Sequence, residues 1–298
     1  MILKDMAEHV SEVIGSPDAE TVKQATRFLK RRYEMLYDSH LWEDAKVPLS
    51  LTTYDAEVVL PSWVDRVLQV VECKDGTERN LPHMDLQNIY QIDPSLLEDE
   101  GEVVGFSRKH PIATSRHPAG NRVKFQSSSG SDAEIVRLEG IHNGNEIHES
   151  VTLAGTTSVT SQNYYDELRT FSKPVTVGFV KMRRDNTNED EIAVLLGDEN
   201  SRTYNRIQLH RSISETDGRK LLILAKQRCI PLRHDNDAPQ LGNCENALIS
   251  FAVSDCLNRM RQTAKAQAHI QEANAHVASM MDRDKNQQAS VLRFVPEG

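Results

Sequence analysis

Three features of this chain have the residue types from which catalytic or metal sites are built. Glu146-Ile147-His148-Glu149 follows an Asn143-Gly144 turn. On a strand, Glu146 and His148 share a face and could bind a metal; the other reading is a polar outer strand face. His234-Asp235-Asn236-Asp237 is acidic enough to suggest a calcium loop. It lacks the glycine and the distal glutamate that such a loop needs, so a turn that caps a helix is the competing reading. His110, His117 and His142 are scattered at spacings that fit no metal motif. The usual signatures of catalysis are missing: no phosphate-cradling G-x-x-x-x-G-K-[ST], no G-x-G-x-x-G, no G-x-S-x-G and no H-E-x-x-H. Neither a cofactor nor a resident metal is expected.

Charge gives a second candidate surface. The chain has 44 acidic and 35 basic residues, a formal charge of -9, which argues against gripping nucleic acid by bulk electrostatics. Lys23, Arg27 and Arg31 nevertheless stand four apart with Lys30 beside them, a basic stripe on a helix. It is either a solvated face or a face toward an acidic neighbour or DNA. Four cysteines lie far apart without a C-x-x-C pair, which suggests reduced thiols. No apolar run of about 18 residues occurs, so no membrane span is expected. The acid-containing start lacks the apolar core of a signal peptide.

The elements that must position these residues fall into three stretches. Residues 2–14 read as a short amphipathic helix ending at Gly15. Ser16-Pro17-Asp18-Ala19-Glu20 then reads as a helix start, with Ser16 as cap and Pro17 in the first turn. Val22, Ala25, Leu29, Tyr33 and Leu36 follow at helical spacing to His40, and Pro48 marks a break. From Thr53 to Ala225 the texture is of short strands and turns, with Asn143-Gly144 the clearest hairpin and Ser127–Ser131 a flexible linker or hairpin tip. These strands suggest a two-sheet sandwich. Asn243 to Asp284 reads as one long helix, with Leu248, Ile249, Ala252, Val253, Cys256, Leu257 and Met260 as its buried stripe. Beyond Met260 its apolar contacts reduce to Ala264, Ala268, Ala273 and Val277, small enough to admit a neighbouring backbone at a subunit interface. A partly exposed, Ala-driven helix is the alternative. The expected fold is α+β: a helical bundle formed by both chain ends with an inserted β-rich, sandwich-like region. The parts are residues 1–50, 51–230 and 231–298.

Several stretches, in order, resemble the head-to-tail adaptor (connector or neck) proteins of tailed bacteriophages. They are Arg32-Tyr33-Glu34-Met35-Leu36-Tyr37 leading to Leu41-Trp42, and Val59-Leu60-Pro61 with Asp65-Arg66-Val67. Gly140 to Leu153 and Phe171 to Gly178 are similar to the family's β region. Pro231-Leu232, then Asp235-Asn236-Asp237-Ala238-Pro239 and Asn246-Ala247-Leu248-Ile249, resemble the turn that launches its last helix. The closing Val291-Leu292-Arg293-Phe294-Val295-Pro296 also fits. Residues 83–130 match nothing in the family. The resemblance implies a virion protein made in the bacterial host cytoplasm and assembled into a ring, typically of twelve copies, in the neck. Its partners would be the portal, a tail tube or nozzle protein, and genomic DNA passing without sequence-specific binding; no catalysis is implied.

The apolar tip Leu292, Phe294 and Val295 with Arg293 follows a polar run, Asp282 to Gln288, and reads as a peptide that docks on the portal or a neighbouring subunit. Two other functions compete. A virion-associated carbohydrate- or receptor-binding β-sandwich would want exposed aromatic platforms, yet aromatics are 5% and only Tyr164-Tyr165 cluster in the β region. A metal-dependent hydrolase would use Glu146, His148 and Asp235.

Overall fold

The structure is a computed structural model that describes residues 1–74, 76–85, 87, 102–210 and 218–291, the last five as backbone. It divides into two compact units: Met1–Val47 with the chain from Lys226 onward, and Pro48–Ala225. The α+β class is as the sequence predicts, with helices from both chain ends and antiparallel sheets between.

The helical unit holds α1 (Leu3–Ile14), α2 (Ala19–Ser39), α3 (Glu245–Arg259) and α4 (Thr263–Val291). Leu3, Met6 and Val10 of α1, Leu29, Tyr33 and Tyr37 of α2, and Leu248 and Val253 of α3 are buried in one core. α1 stops because Gly15 takes φ +77°, which a glycine adopts without a Cβ penalty. The start of α2 differs from the expectation. Asp18, not Ser16, is the cap; its carboxylate accepts from Thr21 N at 2.9 Å, and Ser16 Oγ donates to it at 2.7 Å. Those hydrogen bonds, from Ser16 and then Thr21, hold the Asp18 carboxyl down to about 2. The two chain ends are stitched by Leu3 N to Asp237 O at 2.8 Å, Lys4 N to Asp235 O at 3.0 Å, and a two-pronged Arg32–Asp255 pair at 2.6 and 2.7 Å.

The single long helix expected from Asn243 to Asp284 is instead two. Arg261 adopts φ +61°, Arg261 N bonds to Asn258 O and Gln262 N to Leu257 O. That pair of bonds is the Schellman end of a helix, here with arginine where glycine is usual. The chain turns back: Arg283 Nη2 reaches Gly242 O, and Asp284 accepts from Glu43 N, so the far end of α4 lies beside the beginning of α3. Met260, expected inside, is 40% exposed at the turn.

The β unit contains two cores, one inserted in the other. The outer is built on β1 (Lys46–Thr53), β2 (Glu57–Val59), β3 (Val64–Lys74), β4 (Thr77–Leu81), β5 (Gly105–Ile112), β13 (Tyr204–His210) and β14 (Arg219–Gln227). They form sheets of order β1-β14-β3-β4 and β2-β13-β5 around Val67, Val70, Phe106, Ile207, Leu209 and Leu221. The inner uses β6 (Val123–Ser127), β7 (Ile135–His142), β8 (Asn145–Thr152), β9 (Val159–Thr160), β10 (Glu167–Ser172), β11 (Val180–Arg184) and β12 (Glu191–Leu195). Its sheets, β10-β7-β8 and β12-β11-β6-β9, enclose Phe125, Leu138, Tyr165, Phe171 and Met182. The Asn143-Gly144 hairpin forms as predicted, with φ +49° and +76° and β7 paired to β8 in register from Ile135–Thr152 to His142–Asn145. Pro48 breaks no helix. It sits exposed in β1, an edge strand, the place in a sheet where proline is tolerated.

Candidate interaction surfaces

α2 sorts its cations into two groups. Arg32 is spent on Asp255 and lies 5.0 Å from the centre of the Phe251 ring, and Lys30 Nζ donates to Arg233 O at 2.7 Å. Lys23, Arg27 and Arg31 are exposed and make no ion pair or side-chain hydrogen bond among the described residues. The predicted stripe is therefore a physical line of charge, one residue per turn of helix. Arg259, at the end of α3, joins it, which the sequence could not foretell across more than 200 positions. The four border a groove of about 560 Å³ that also contains Phe28.

The proposed interface residues of α4 do not share a face. Ala273 is fully buried and Val277 packs against the helical core, whereas Ala264 and Ala268 are exposed. At 100° per residue, positions nine apart point to opposite sides, so Ala264 and Ala273 could not line one surface. The outward side of α4 carries Ala264, Ala268, Ala275 and Ala278. Leu292, Arg293, Phe294 and Val295 lie outside the described residues.

The candidate chemical clusters disperse into structure. Glu146 and His148 are exposed on β8, and His148 Nδ1 stands 3.8 Å from Glu139 on β7. Glu149 accepts from the backbone of Gln162 and Asn163 at 2.6 and 3.1 Å and from Tyr165 Oη at 2.9 Å, which pins a loop. Asp237 accepts from Arg233 N and His234 N, and Asp235 meets Lys4 through its backbone carbonyl. His117 and His142 pair with Glu57 and Asp166, and His110 offers its carbonyl to Arg206. Among the described residues no group of three His, Cys, Asp or Glu side chains has a geometry for holding a metal. Tyr164 is half-exposed beside His142 and Arg122, while Tyr165 is buried, so the pair makes no broad aromatic platform. The four cysteines are free thiols; burial pushes Cys229 and Cys244 up to about 12 and Cys256 to about 11.

Two features of the β unit had no clear sequence signal. The first is a buried charge cluster. Arg206 on β13, 5% exposed, bonds Glu57 of β2 at 2.9 Å and Glu167 of β10 at 2.8 Å. His117 at 2.6 Å and Lys109 complete the shell of Glu57. Burial works to raise the Glu57 carboxyl, but the bonds from His117, Lys109 and Arg206 outweigh it and leave it well below the usual carboxylate range. The second is an apolar tip. Val175, Val177, Phe179 and Leu196 are exposed, Val177 by 80%. Buried Asp132 holds that tip by accepting from Val177 N, Gly178 N and Ser127 Oγ at 2.9, 3.0 and 2.5 Å. Ser127–Ser131, expected to be a flexible linker or hairpin tip, is thus tied down by hydrogen bonds.

No protein-family model matches the sequence, and no curated protein matches it.

Proposed function

We propose that this chain is a structural ring subunit of a phage neck, an adaptor that joins the portal to the tail and continues the DNA channel. The observation that carries the reading is the helical unit. Both chain ends share one core, and the β-rich region that resembles the adaptor family's is inserted between them. The surfaces left over suit assembly better than catalysis. α4 offers a line of alanines that lets a neighbour approach closely, the basic groove is unpartnered in the described chain, and the Val175–Phe179 tip presents apolar side chains on a fixed loop. A closed ring covers such faces by contacts that return on themselves. In this reading Leu292, Arg293, Phe294 and Val295 dock on the portal or a neighbour, the tail tube or nozzle binds the other side, and DNA passes an acidic wall without sequence readout. The role calls for no cofactor or metal, and its place is the neck of the virion.

Negative-stain images of the purified protein, alone and with its portal, test this. Rings with a central channel, seated on the portal when both are present, are expected. A protein that forms no ring and is not captured by portal-containing heads would overturn the reading.

A further inference from the structure

The helical unit carries opposite charge on different helices. The basic groove is bounded by Lys23, Arg27 and Arg31 of α2 and Arg259 of α3, and Glu20 is the one carboxylate along it. Glu20 is itself engaged, accepting from Gln24 Nε2 at 3.0 Å. α1 bears the complement. Asp5, Glu8 and Glu12 are all exposed and fall at i, i+3 and i+7, on one face of that helix. Lys4 and His9 flank that line at 3.8 Å from Glu8 and Glu12, separations that leave the carboxylates free to take a second partner. The lines match in length. Asp5 to Glu12 covers about 10 Å of helix axis and Lys23 to Arg31 about 12 Å. Each also has an apolar side chain beside its charges: Val13, 47% exposed, follows Glu12, and Phe28 follows Arg27. Within one chain the two lines make no ion pair with each other among the described residues.

We propose that the basic groove of one copy receives the acidic face of α1 from the next copy. This rests on the ring reading and specifies one contact within it. The two faces are unlike, so the contact is heterologous and, repeated with a rotation that closes, generates a ring. Arginine forks match carboxylates in two-pronged geometry. The occupant follows from charge: the chain is acidic overall, at -9, so its surface repels a duplex, whereas a second copy brings the carboxylates itself.

Two triple variants test it: Lys23→Glu/Arg27→Glu/Arg31→Glu, and Asp5→Lys/Glu8→Lys/Glu12→Lys. All substituted positions are exposed, and circular dichroism checks that both variants fold. Sedimentation velocity is run on each at low and high salt. Wild-type chain should self-associate, and less so as salt rises. Each variant alone should associate on the order of 100-fold more weakly. An equimolar mixture should regain assembly, because each reversed face then meets its opposite only on the other variant. A mixture that stays dissociated while both components are folded overturns the contact, as does wild-type chain that is monomeric at every concentration and salt. Rings unchanged by either triple reversal sink this pairing but leave the adaptor reading intact. Loss of duplex-DNA retention in the first variant with self-association unchanged would also overturn it and assign the groove to nucleic acid.

Discussion

Arg206 shows how the β unit uses charge. It is nearly sealed from water, yet it holds Glu57 and Glu167 at 2.9 and 2.8 Å, so removing it takes from both carboxylates their shared partner in a poorly solvated place. Arg206→Ala is expected to cost about 3 kcal/mol at neutral pH, the low end for a broken buried pair because Glu57 keeps His117 and Lys109. Glu57 gives the pH dependence. Its carboxyl in the folded chain binds a proton less readily than in the unfolded one, where the ordinary value is about 4.3. Under acid the unfolded state therefore takes up a proton that the folded state refuses. The stabilisation is complete above the unfolded value and is lost as pH falls through it toward the folded one. Glu167 is shifted in the same direction: burial opposes the shift, and Arg206 outweighs it. Urea unfolding between pH 7 and pH 3 should show stability falling steeply below about pH 5, less steeply in Glu57→Gln. An unchanged slope in that variant would mean that the cluster does not set the acid response.

Among the elements, the α3–α4 turn is the most instructive. The stretch from Leu257 to Thr263 contains neither glycine nor proline, and its helical propensity is good, so local reasoning carries one helix straight through. Arg261 nevertheless sits at φ +61°. A side chain there is disfavoured by roughly 1–2 kcal/mol, and what offsets it is the packing of α4 back along α3 with Ala266, Ala273 and Met280 turned inward. Arg261→Gly relieves the strain while loosening the unfolded chain, for an expected net gain of about 0.5–1 kcal/mol in chemical denaturation. A net loss would show that the arginine side chain contributes more at the turn than its backbone costs.

At the scale of the whole molecule, the chain is nested. Helices from the two ends make one unit, and the β region between them holds an inner core, from Ala113 to Leu195, inserted in an outer one. Such an order puts the described helices of both chain ends, α1 and α4, in the same unit. Deleting residues 290–298 is expected to leave the protein folded by circular dichroism but to abolish its capture by portal-containing heads. In the proposed docking, burying Leu292 or Phe294 would contribute roughly 1.5–3 kcal/mol each. Ordering its backbone costs about 1–2 kcal/mol per residue. A single such contact would therefore be weak, and the proposed ring would make it tight by repetition. Heads that still bind the truncated protein would remove the tail from the docking mechanism.

Much was legible in the sequence because it is local. The periodic apolar residues of α1 and α2, the Asn143-Gly144 hairpin, the Gly15 stop and the spacing of Lys23, Arg27 and Arg31 depend on neighbours within a turn or two of chain. From these follow the α+β class, the helical ends and the existence of a basic face. What tertiary structure decided is everything that depends on distant chain. It chose which cations stay unpaired, by giving Arg32 to Asp255 and leaving Arg31 to stand near Arg259. It split the last helix at Arg261, turned Ala273 inward and Ala264 outward, and gathered Glu57, Arg206 and Glu167 from three strands. The physical reason is the same each time. Burial and charge pairing act between groups close in space, and where the chain brings such groups together their energies exceed the local preferences on which a sequence reading depends.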